Sequence, residues 1–505
     1  AINKLLPSVN MVGGVTGKVS AKGSVADMND LAATLVTDVK ADISRIQLKG
    51  YPLQHLRASG KYGNKKLAAQ ATLNDPNCAL AFNGNMDLSK KQNEYHAEAS
   101  IDNLNFSKLF AHLPLVDSTT TDGFEKLVRY VQLHPEVTLN VSHLDCDLAG
   151  NKLKEMNGDV FIDSISYTQD GKSLAMDRVR LISLASDEKQ ILRFSSDLAN
   201  VVLSTNYDIK DVPTAIIDMV YTYCGNLLPA RNVSAPLYAD VENPEFDLDV
   251  TGHHLTPILE MFAPTIRIGD NSVVKIRGDA NHSQDYINVS SPEIYIGDNV
   301  QIQQVQLLAN SKGTASFKAN GSVRSLLIGE KGNFAFDNIS MEADVDPQTL
   351  ACRLDWNNPA VISSHKSLLG ARVNFLDGGK ITAQITESEV YFKEFPFSFN
   401  KDHLVTVDHG TVKIDNVVLN SNESQVFVNG YVGKVGDSLV ATIDNLGIDL
   451  VNQFIKTDKM HLGGALSANV QMRDFNGRNL LLGSALIKDF EFNGEQFGHL
   501  YANAI

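Results

Sequence analysis

The stretch CALAFNGNMDL, residues 78–88, decides the fold class, because larger apolar residues alternate with small or polar ones along it. The larger apolar side chains occupy every second position, at Cys78, Leu80 and Phe82. Met86 continues this spacing beyond an Asn-Gly pair. Such alternation is typical of a strand with one apolar face. A two-residue hairpin turn at the Asn-Gly pair would break this register. The pair is therefore predicted to lie inside a strand, where its glycine permits a bend or bulge.

The same alternation recurs along the chain, at the spacing of roughly 8–14 residues expected of a large antiparallel β assembly. QVFVNGYV (residues 425–432) repeats the pattern, and its apolar parity also continues through an Asn-Gly pair. The sequence thus predicts an all-β fold: an elongated, curled, repetitive sheet, described as a β-taco or an open β-solenoid, with an apolar groove and a few short helices.

Three stretches carry helical periodicity instead. TDGFEKLVRYVQLHP offers Asp122 as N-cap, and LTPILEMFAP offers Thr256 in the same role. VPTAIIDMVYTYCG, residues 212–225, is predicted to bury one stripe, formed by Ile217, Val220, Tyr221 and Cys224.

Internal repetition supports an extended sheet. FEFNGEQFGHLYANA (Phe490–Ala504) matches IQLKGYPLQHLRASG (Ile46–Gly60) without gaps, and His499 falls on His55. Upstream, TGKVSAKGSV resembles GGALSANVQM, with Gly17 on Gly464. These matches, with no linker composition between them, predict four β repeat units with soft boundaries in one continuous body: 1–115, 116–242 (with short helices), 243–370 and 371–505.

Composition narrows the function classes. With 505 residues, 43% hydrophobic and 20% charged, the chain is predicted to be ordered. Its formal net charge of −15 argues against nucleic acid and against electrostatic docking on anionic lipid. The sequence contains no apolar run of about 18 residues, the length that a membrane-spanning helix requires.

Known catalytic patterns are not found. The thirteen histidines are dispersed, and the adjacent His253 and His254 would point to opposite faces of a strand. No P-loop, nucleophile elbow or dinucleotide fingerprint occurs. The sequence therefore predicts no enzyme activity, no cofactor and no metal site.

The four cysteines fall on apolar positions. Cys78, Cys146 and Cys352 lie on predicted apolar strand faces, and Cys224 lies on the helical stripe. Their wide separation in sequence disfavours disulfides in a stacked sheet, and Cys packs as a small hydrophobe. They are predicted to be buried free thiols.

Two segments carry a family resemblance. LGGALSANVQM (Leu462–Met472) followed by LIKDFEFNGEQFGHLYANA (Leu486–Ala504) resembles the translocation and assembly module family TamB, in the form found in Bacteroidota. The interior segment beginning LTPILEMFAPTIRIGDNSVVKIRGDA is also similar to that family. The wider AsmA-like group shares this pattern of strand, glycine and aromatic residue.

The resemblance implies a periplasmic protein of the cell envelope, anchored in the inner membrane by a segment absent from this sequence. It implies a curled sheet whose hydrophobic groove conducts phospholipid between the inner and outer membranes. It also implies a role in outer-membrane biogenesis and protein secretion, with an outer-membrane β-barrel assembly protein as a partner. The family brings no catalytic residues to transfer.

Alternating apolar positions in the last repeat unit are the predicted lining of the lipid groove, in contact with acyl chains. They are Val405, Val407, Val412, Ile414, Val426, Val428, Val432, Leu466, Ala468, Val470 and Met472. The alternative is a structural or adhesive β-repeat protein in which the same residues form a dry core and no lipid is carried.

Overall fold

The protein is described from a computed structural model. The described residues are 15–28, 30–48, 51–117, 123–134, 136–225, 241–313, 316–329, 334–357, 365–392, 395–433, 437–453, 460–473 and 480–504.

The fold is nearly all β. In these ranges the strands form an antiparallel sheet of 29 strands, accompanied by five short α-helices and four short 3₁₀ helices. The all-β fold class predicted from alternation is therefore confirmed. The chain divides into two compact units, Ala1–Val212 with Tyr238–Lys275 and Pro213–Leu237 with Ile276–Ile505. The four repeat units stay a prediction.

Unit 1 is built on a meander in which each strand pairs with its neighbours in sequence from β1 to β12. Its strands are β1 Val15–Val25, β2 Leu35–Leu48, β3 Tyr51–Gly63, β4 Lys66–Asp75, β5 Cys78–Asp87, β6 Glu94–Asn105, β7 Val137–Ala149, β8 Asn157–Gln169, β9 Lys172–Ala185, β10 Gln190–Ser195, β11 Ala199–Thr205, β12 Glu245–Gly252 and β13 Ile266–Ile268.

The division between the units falls inside β14 (Ser272–Asp279). Unit 2 continues the antiparallel pattern, with β21 pairing with both β22 and β23. Its strands are β15 Tyr286–Ile296, β16 Val300–Ser311, β17 Phe317–Ile328, β18 Phe334–Val345, β19 Thr349–Asn357, β20 Lys366–Leu376, β21 Lys380–Phe392, β22 Phe395–Phe399, β23 Leu404–Asp408, β24 Thr411–Ser421, β25 Ser424–Val432, β26 Ser438–Gly447, β27 Leu462–Arg473, β28 Leu480–Phe492 and β29 Glu495–Ala504.

The helices are short. They are α1 Leu31–Thr34, α2 Phe106–Phe110, α3 Gly123–Leu133, α4 Val212–Cys224 and α5 Thr256–Phe262. All three predicted helices exist, but Thr256 is the first residue of α5 and Leu255 is its N-cap, without a side-chain capping bond. The predicted cap Asp122 of α3 lies outside the described residues.

The buried face of α4 differs from the prediction. Met219 and Tyr223 are 2% and 5% exposed, whereas Ile217 and Val220 are 45% and 37% exposed. The helix carries two apolar stripes, and periodicity alone cannot choose between them. The predicted stripe, apart from the half-buried Tyr221 and Cys224, therefore lies on the exposed side of α4.

Both Asn-Gly pairs lie inside strands, as predicted. Gly84 lies within β5 and pairs regularly with Ala69 and Ala97. Gly430 lies in β25 with a φ of 141°, beside a register shift between β24 and β25. A Cβ at Gly430 would come within 2.2 Å of the Ser438 carbonyl oxygen, so only glycine fits this close strand approach.

Candidate functional site: the apolar faces of the two units

Cross-strand pairing in unit 1 aligns apolar residues into continuous rows. Residues directly opposite each other in an antiparallel sheet point to the same face. One row crosses all strands from β1 to β12: Ala21, Val39, Gly60, Ala69, Gly84, Ala97, Cys146, Val160, Leu181, Phe194, Val201 and Val250. Every member is apolar or glycine, so no charge interrupts the row.

The opposite face of the same strands is polar. The adjacent row begins with Ser20, Lys40, Ser59, Gln70, Asn83, Glu98 and Asp145. In β4 the two faces differ in burial, because Leu67, Ala69 and Ala71 are half-buried while Lys66 and Gln70 are exposed. In β4 the apolar face is thus the less accessible one, whereas all of β1 and Leu181 of β9 are exposed.

Unit 2 has an equivalent row. It runs through β17 to β21 and on through β23 to β28: Phe317, Val345, Leu350, Val373, Ala383, Val405, Ile414, Gly430, Leu439, Met472 and Leu481. A charge-free path is again continuous across the strands.

All eleven predicted groove residues lie on this face of unit 2. Val405, Ile414 and Met472 belong to the row just described. The others fall in parallel rows: Val407 with Val412 and Val432; Val428 with Ala441 and Val470; Val426 with Ile443 and Ala468; Leu446 with Leu466. The structure therefore brings residues from four strands onto one surface, which sequence alternation could only assign strand by strand.

These side chains are half-buried. All eleven lie between the buried and the exposed class, and so do the row members from Leu350 to Met472. Residues inside a dry sheet-on-sheet core would be closely packed and largely inaccessible. A contiguous apolar surface that keeps partial access is the kind that marks ligand grooves and contact sites.

Unit 1 contains a cavity of about 1210 Å³ on the ends of β1 to β8. Its apolar wall includes Tyr62, Leu67, Met86, Tyr95 and Leu148. Ordinary ligand pockets measure roughly 300–1,000 Å³, so this cavity has room for a large apolar molecule.

The rim of this cavity is polar and carries both signs of charge. Lys61 Nζ lies 3.9 Å from Asp38, and Lys66 Nζ lies 2.9 Å from Asp87. Two hydrogen bonds to the Asp87 carboxylate lower its pKa to about 2. The larger effect comes from the Ser89 hydroxyl and the next from the Lys66 ammonium group. A lipid-like ligand would find an apolar wall and an ionic margin here.

All four cysteines are free, as predicted. Cys78 is buried, and Cys146, Cys224 and Cys352 are half-buried. Cys146 pairs with Ala97 and Val160, and Cys352 pairs with Ala343 and Ala371, so both lie in apolar rows. Burial raises the pKa of Cys78, Cys146 and Cys224.

One histidine–carboxylate group was missed by the sequence because its members come from neighbouring strands. The ligand atoms of His96, Asp145 and Asp147 lie within 4.8 Å of one another. His96 Nδ1 is 2.7 Å from Asp147 Oδ1, and this hydrogen bond raises the pKa of His96. The His96–Asp147 ion pair accounts for two of the three side chains, whereas Asp145 Oδ1 is buried and has no hydrogen-bond partner among the described residues.

A buried polar network stands at the C-terminal end of α4. Asp285 Oδ2 lies 2.9 Å from Tyr223 Oη and 2.7 Å from His282 Nδ1, and the Asp285 side chain is 0% exposed. His282 Nε2 lies 3.3 Å from Thr222 Oγ1. This order resembles a hydrolase triad, but the Thr222 hydroxyl donates to the Asp218 carbonyl at 2.9 Å. Its proton is held by the helix backbone, so the geometry supports a structural role.

Comparison with protein-family models gives no match. Comparison with curated proteins also gives none. Of the helices in the described ranges, none has the length and hydropathy needed to cross a membrane.

Proposed function

We propose that this protein is a periplasmic bridge-like lipid-transfer protein that binds phospholipid acyl chains along its apolar sheet faces and conducts phospholipid between two membranes. The observation that carries the proposal is the unbroken apolar row in each unit, twelve strands wide in unit 1 and eleven in unit 2. A channel for acyl chains needs this continuity, because an unpaired charge in an apolar environment costs several kcal/mol.

Half-burial supports a filled groove over a dry core. Valine, alanine and glycine make up nine of the twelve members of the row in unit 1 and five of the eleven in unit 2, and these small side chains give a smooth wall with little interdigitation. The cavity of about 1210 Å³ in unit 1 supplies volume next to the same apolar face.

The cellular setting of the proposal has a different basis. The family resemblance of the strand motifs supports a periplasmic location, an inner-membrane anchor, and cooperation with an outer-membrane β-barrel protein. It also supports the absence of enzymatic activity. These statements are part of the proposal and rest on that resemblance alone.

A charge placed in the groove tests the function. Val428 and Val470 lie in one cross-strand row through Ala441, so Val428→Asp and Val470→Asp put a carboxylate on the same track. The matched controls are Asn429→Asp and Asn469→Asp, because each asparagine is the immediate neighbour of its valine in the same strand and is exposed. The phospholipid extracted per mole of purified protein and the transfer of fluorescent phospholipid between vesicles are measured, with circular dichroism to check folding.

We expect the parent and both asparagine variants to carry and transfer phospholipid. Both valine variants should remain folded, since the apolar face is only partly enclosed, but they should transfer lipid several-fold more slowly. If the parent never carries lipid and both valine variants unfold, the structural protein with a dry core is the correct description.

A further inference from the structure

One helix covers part of the apolar face of unit 2. Met219 and Tyr223 of α4 pack against Ala309 of β16 and Phe317 of β17 in a buried cluster. The rings of Tyr223 and Phe317 stack with centroids 4.6 Å apart and planes 26° from parallel. The helix therefore lies on the sheet face that carries the proposed lipid path.

The covered residues belong to the same rows as the open ones. Ala309 pairs with Ile287 and Ala319, and this row continues through Ala343 and Cys352. Phe317 begins the row that passes Val405, Ile414 and Met472. The residues beneath α4 thus pair, strand by strand, with residues of the open apolar face. The surface under the helix continues the proposed path of the acyl chains.

The attachment of α4 combines a small apolar cluster with one polar network. The Tyr223 hydroxyl donates to Asp285, whose other oxygen accepts the Asp279 N–H at 3.1 Å. His282 Nδ1 hydrogen-bonds the same carboxylate, and His282 Nε2 lies 3.3 Å from Thr222 Oγ1 of the helix. Asp285 is fully enclosed, and the hydrogen bond that it accepts from the Tyr223 hydroxyl forms only while α4 is seated; we call Tyr223, His282 and Asp285 the latch.

The exposed side of α4 is also apolar. Ile217 is 45% exposed and Val220 37% exposed. A surface helix of a soluble protein normally turns polar residues outward, whereas the exposed positions of α4 are apolar and its polar residues Thr214, Asp218 and Thr222 are half-buried. This pattern fits a helix that lies within an acyl-chain environment.

We propose that α4 is a displaceable plug over a phospholipid acyl-chain site formed by β15, β16 and β17, and that the latch holds it closed. The occupant is an acyl chain because the site continues the charge-free rows and its cover is apolar on both sides. This inference rests on the proposed function.

The test uses a phospholipid with a photoreactive diazirine in its acyl chain, incorporated in vesicles and incubated with the full chain. After irradiation, peptide mapping by mass spectrometry locates the adducts. Tyr223→Phe removes the latch hydrogen bond with minimal change of shape. Its matched control is Tyr51→Phe, which removes another tyrosine–aspartate bond, from Tyr51 Oη to Asp75 at 2.5 Å in unit 1.

In the parent we expect adducts on strands β18 to β28 and few on β15 to β17. In Tyr223→Phe the adducts on β15 to β17 should rise several-fold, and in Tyr51→Phe they should not. Met219→Ala weakens the apolar contact of α4 without touching the latch and should give the same rise. If Tyr223→Phe fails to fold, the labelling of Met219→Ala shows whether α4 covers the site.

Equal labelling of β15 to β17 in the parent, Tyr223→Phe and Met219→Ala would overturn the plug while leaving lipid transfer intact. A complete lack of adducts anywhere on the chain would instead contradict the proposed function. The two failures are therefore distinguishable in one experiment.

Discussion

Gly17 in β1 and Gly464 in β27 occupy equivalent positions in two copies of one three-strand pattern. Each lies where the register with the following strand shifts, between Thr16 and Gly17 in β1 and between Gly463 and Ala465 in β27. An added Cβ would come within 2.4 Å of the Asp42 carbonyl oxygen at Gly17 and within 2.7 Å of the Lys488 carbonyl oxygen at Gly464. The repeated sequence therefore encodes a repeated bulge.

Replacing Gly464 should destabilise this end of unit 2. Its φ is 122°, a conformation that costs a residue with a side chain about 1–3 kcal/mol, and the contact with Lys488 adds to this. Gly464→Ala should lower the urea midpoint and speed hydrogen exchange in β27 and β28. Gly60→Ala is the matched control, since its Cβ would meet only the Ala68 carbonyl oxygen at 3.7 Å. An equal loss of stability in both variants would refute the bulge argument.

Alternation predicted the strands and their apolar parity well because it follows directly from the pleat. The parity of Val405, Val428 and Val470 was correct, and the structure places all three on one face. Gly17 and Gly464 were matched from the sequence alone, and both proved to lie at bulges. The lipid-binding role assigned to the eleven residues remains a proposal.

Register and helix orientation could not be predicted from the sequence. Which strand residues face each other depends on bulges such as the one beside Gly430, and a local pattern does not fix these. The buried stripe of α4 was mispredicted because Ile217 and Met219 are both apolar. The Tyr223–Asp285 bond joins residues 62 positions apart, so no spacing rule could reveal it.

Thiol reagents should distinguish the cysteines. Burial raises the pKa of Cys78, and only the thiolate reacts, so Cys78 should be labelled slowly in the native protein at pH 8. Cys146 and Cys224 should also react more slowly than an exposed thiol, for the same reason. In denaturant all four cysteines should label fully, as counted by mass spectrometry. An intramolecular disulfide found by peptide mapping would contradict this description.

The folded region around α4 should be more stable in acid. The hydrogen bond that His282 Nδ1 donates to Asp285 raises the pKa of His282, against the opposing effect of burial. The charges of Asp285, Asp279 and Asp218 act in the same direction as this bond. A raised folded-state pKa gives a stabilisation that is fully present below the unfolded value near 6.5 and is lost as pH rises through the folded-state value. Hydrogen exchange of α4 that proceeds through unfolding of this region, corrected for intrinsic rates, should therefore show more protection at pH 5.5 than at pH 8.

The matched variant for this pH effect is His282→Gln, which keeps a polar side chain and removes the titration. Protection of α4 in this variant should no longer change with pH. If the pH dependence survives in His282→Gln, another titrating group causes it.

The single tryptophan supplies a native probe of the apolar face. Trp356 of β19 pairs with Ser367 and lies on the same face of the strand as Leu354 and Cys352. Its half-buried ring contacts the Phe336 ring edge-on, with centroids 6.2 Å apart. If acyl chains lie along this face, phospholipid brominated in its acyl chains should quench the fluorescence of Trp356.

A tryptophan on the polar face provides the control for this experiment. The double variant Trp356→Phe/Tyr431→Trp moves the probe to a position that is 41% exposed and pairs with Lys413 on the opposite face of unit 2. Quenching should fall to the level given by the soluble lipid headgroup alone, because bromine atoms on acyl chains do not reach that face. Equal quenching at both positions would mean that lipid adsorbs without regard to face. The absence of quenching at Trp356 would mean that acyl chains do not reach β19.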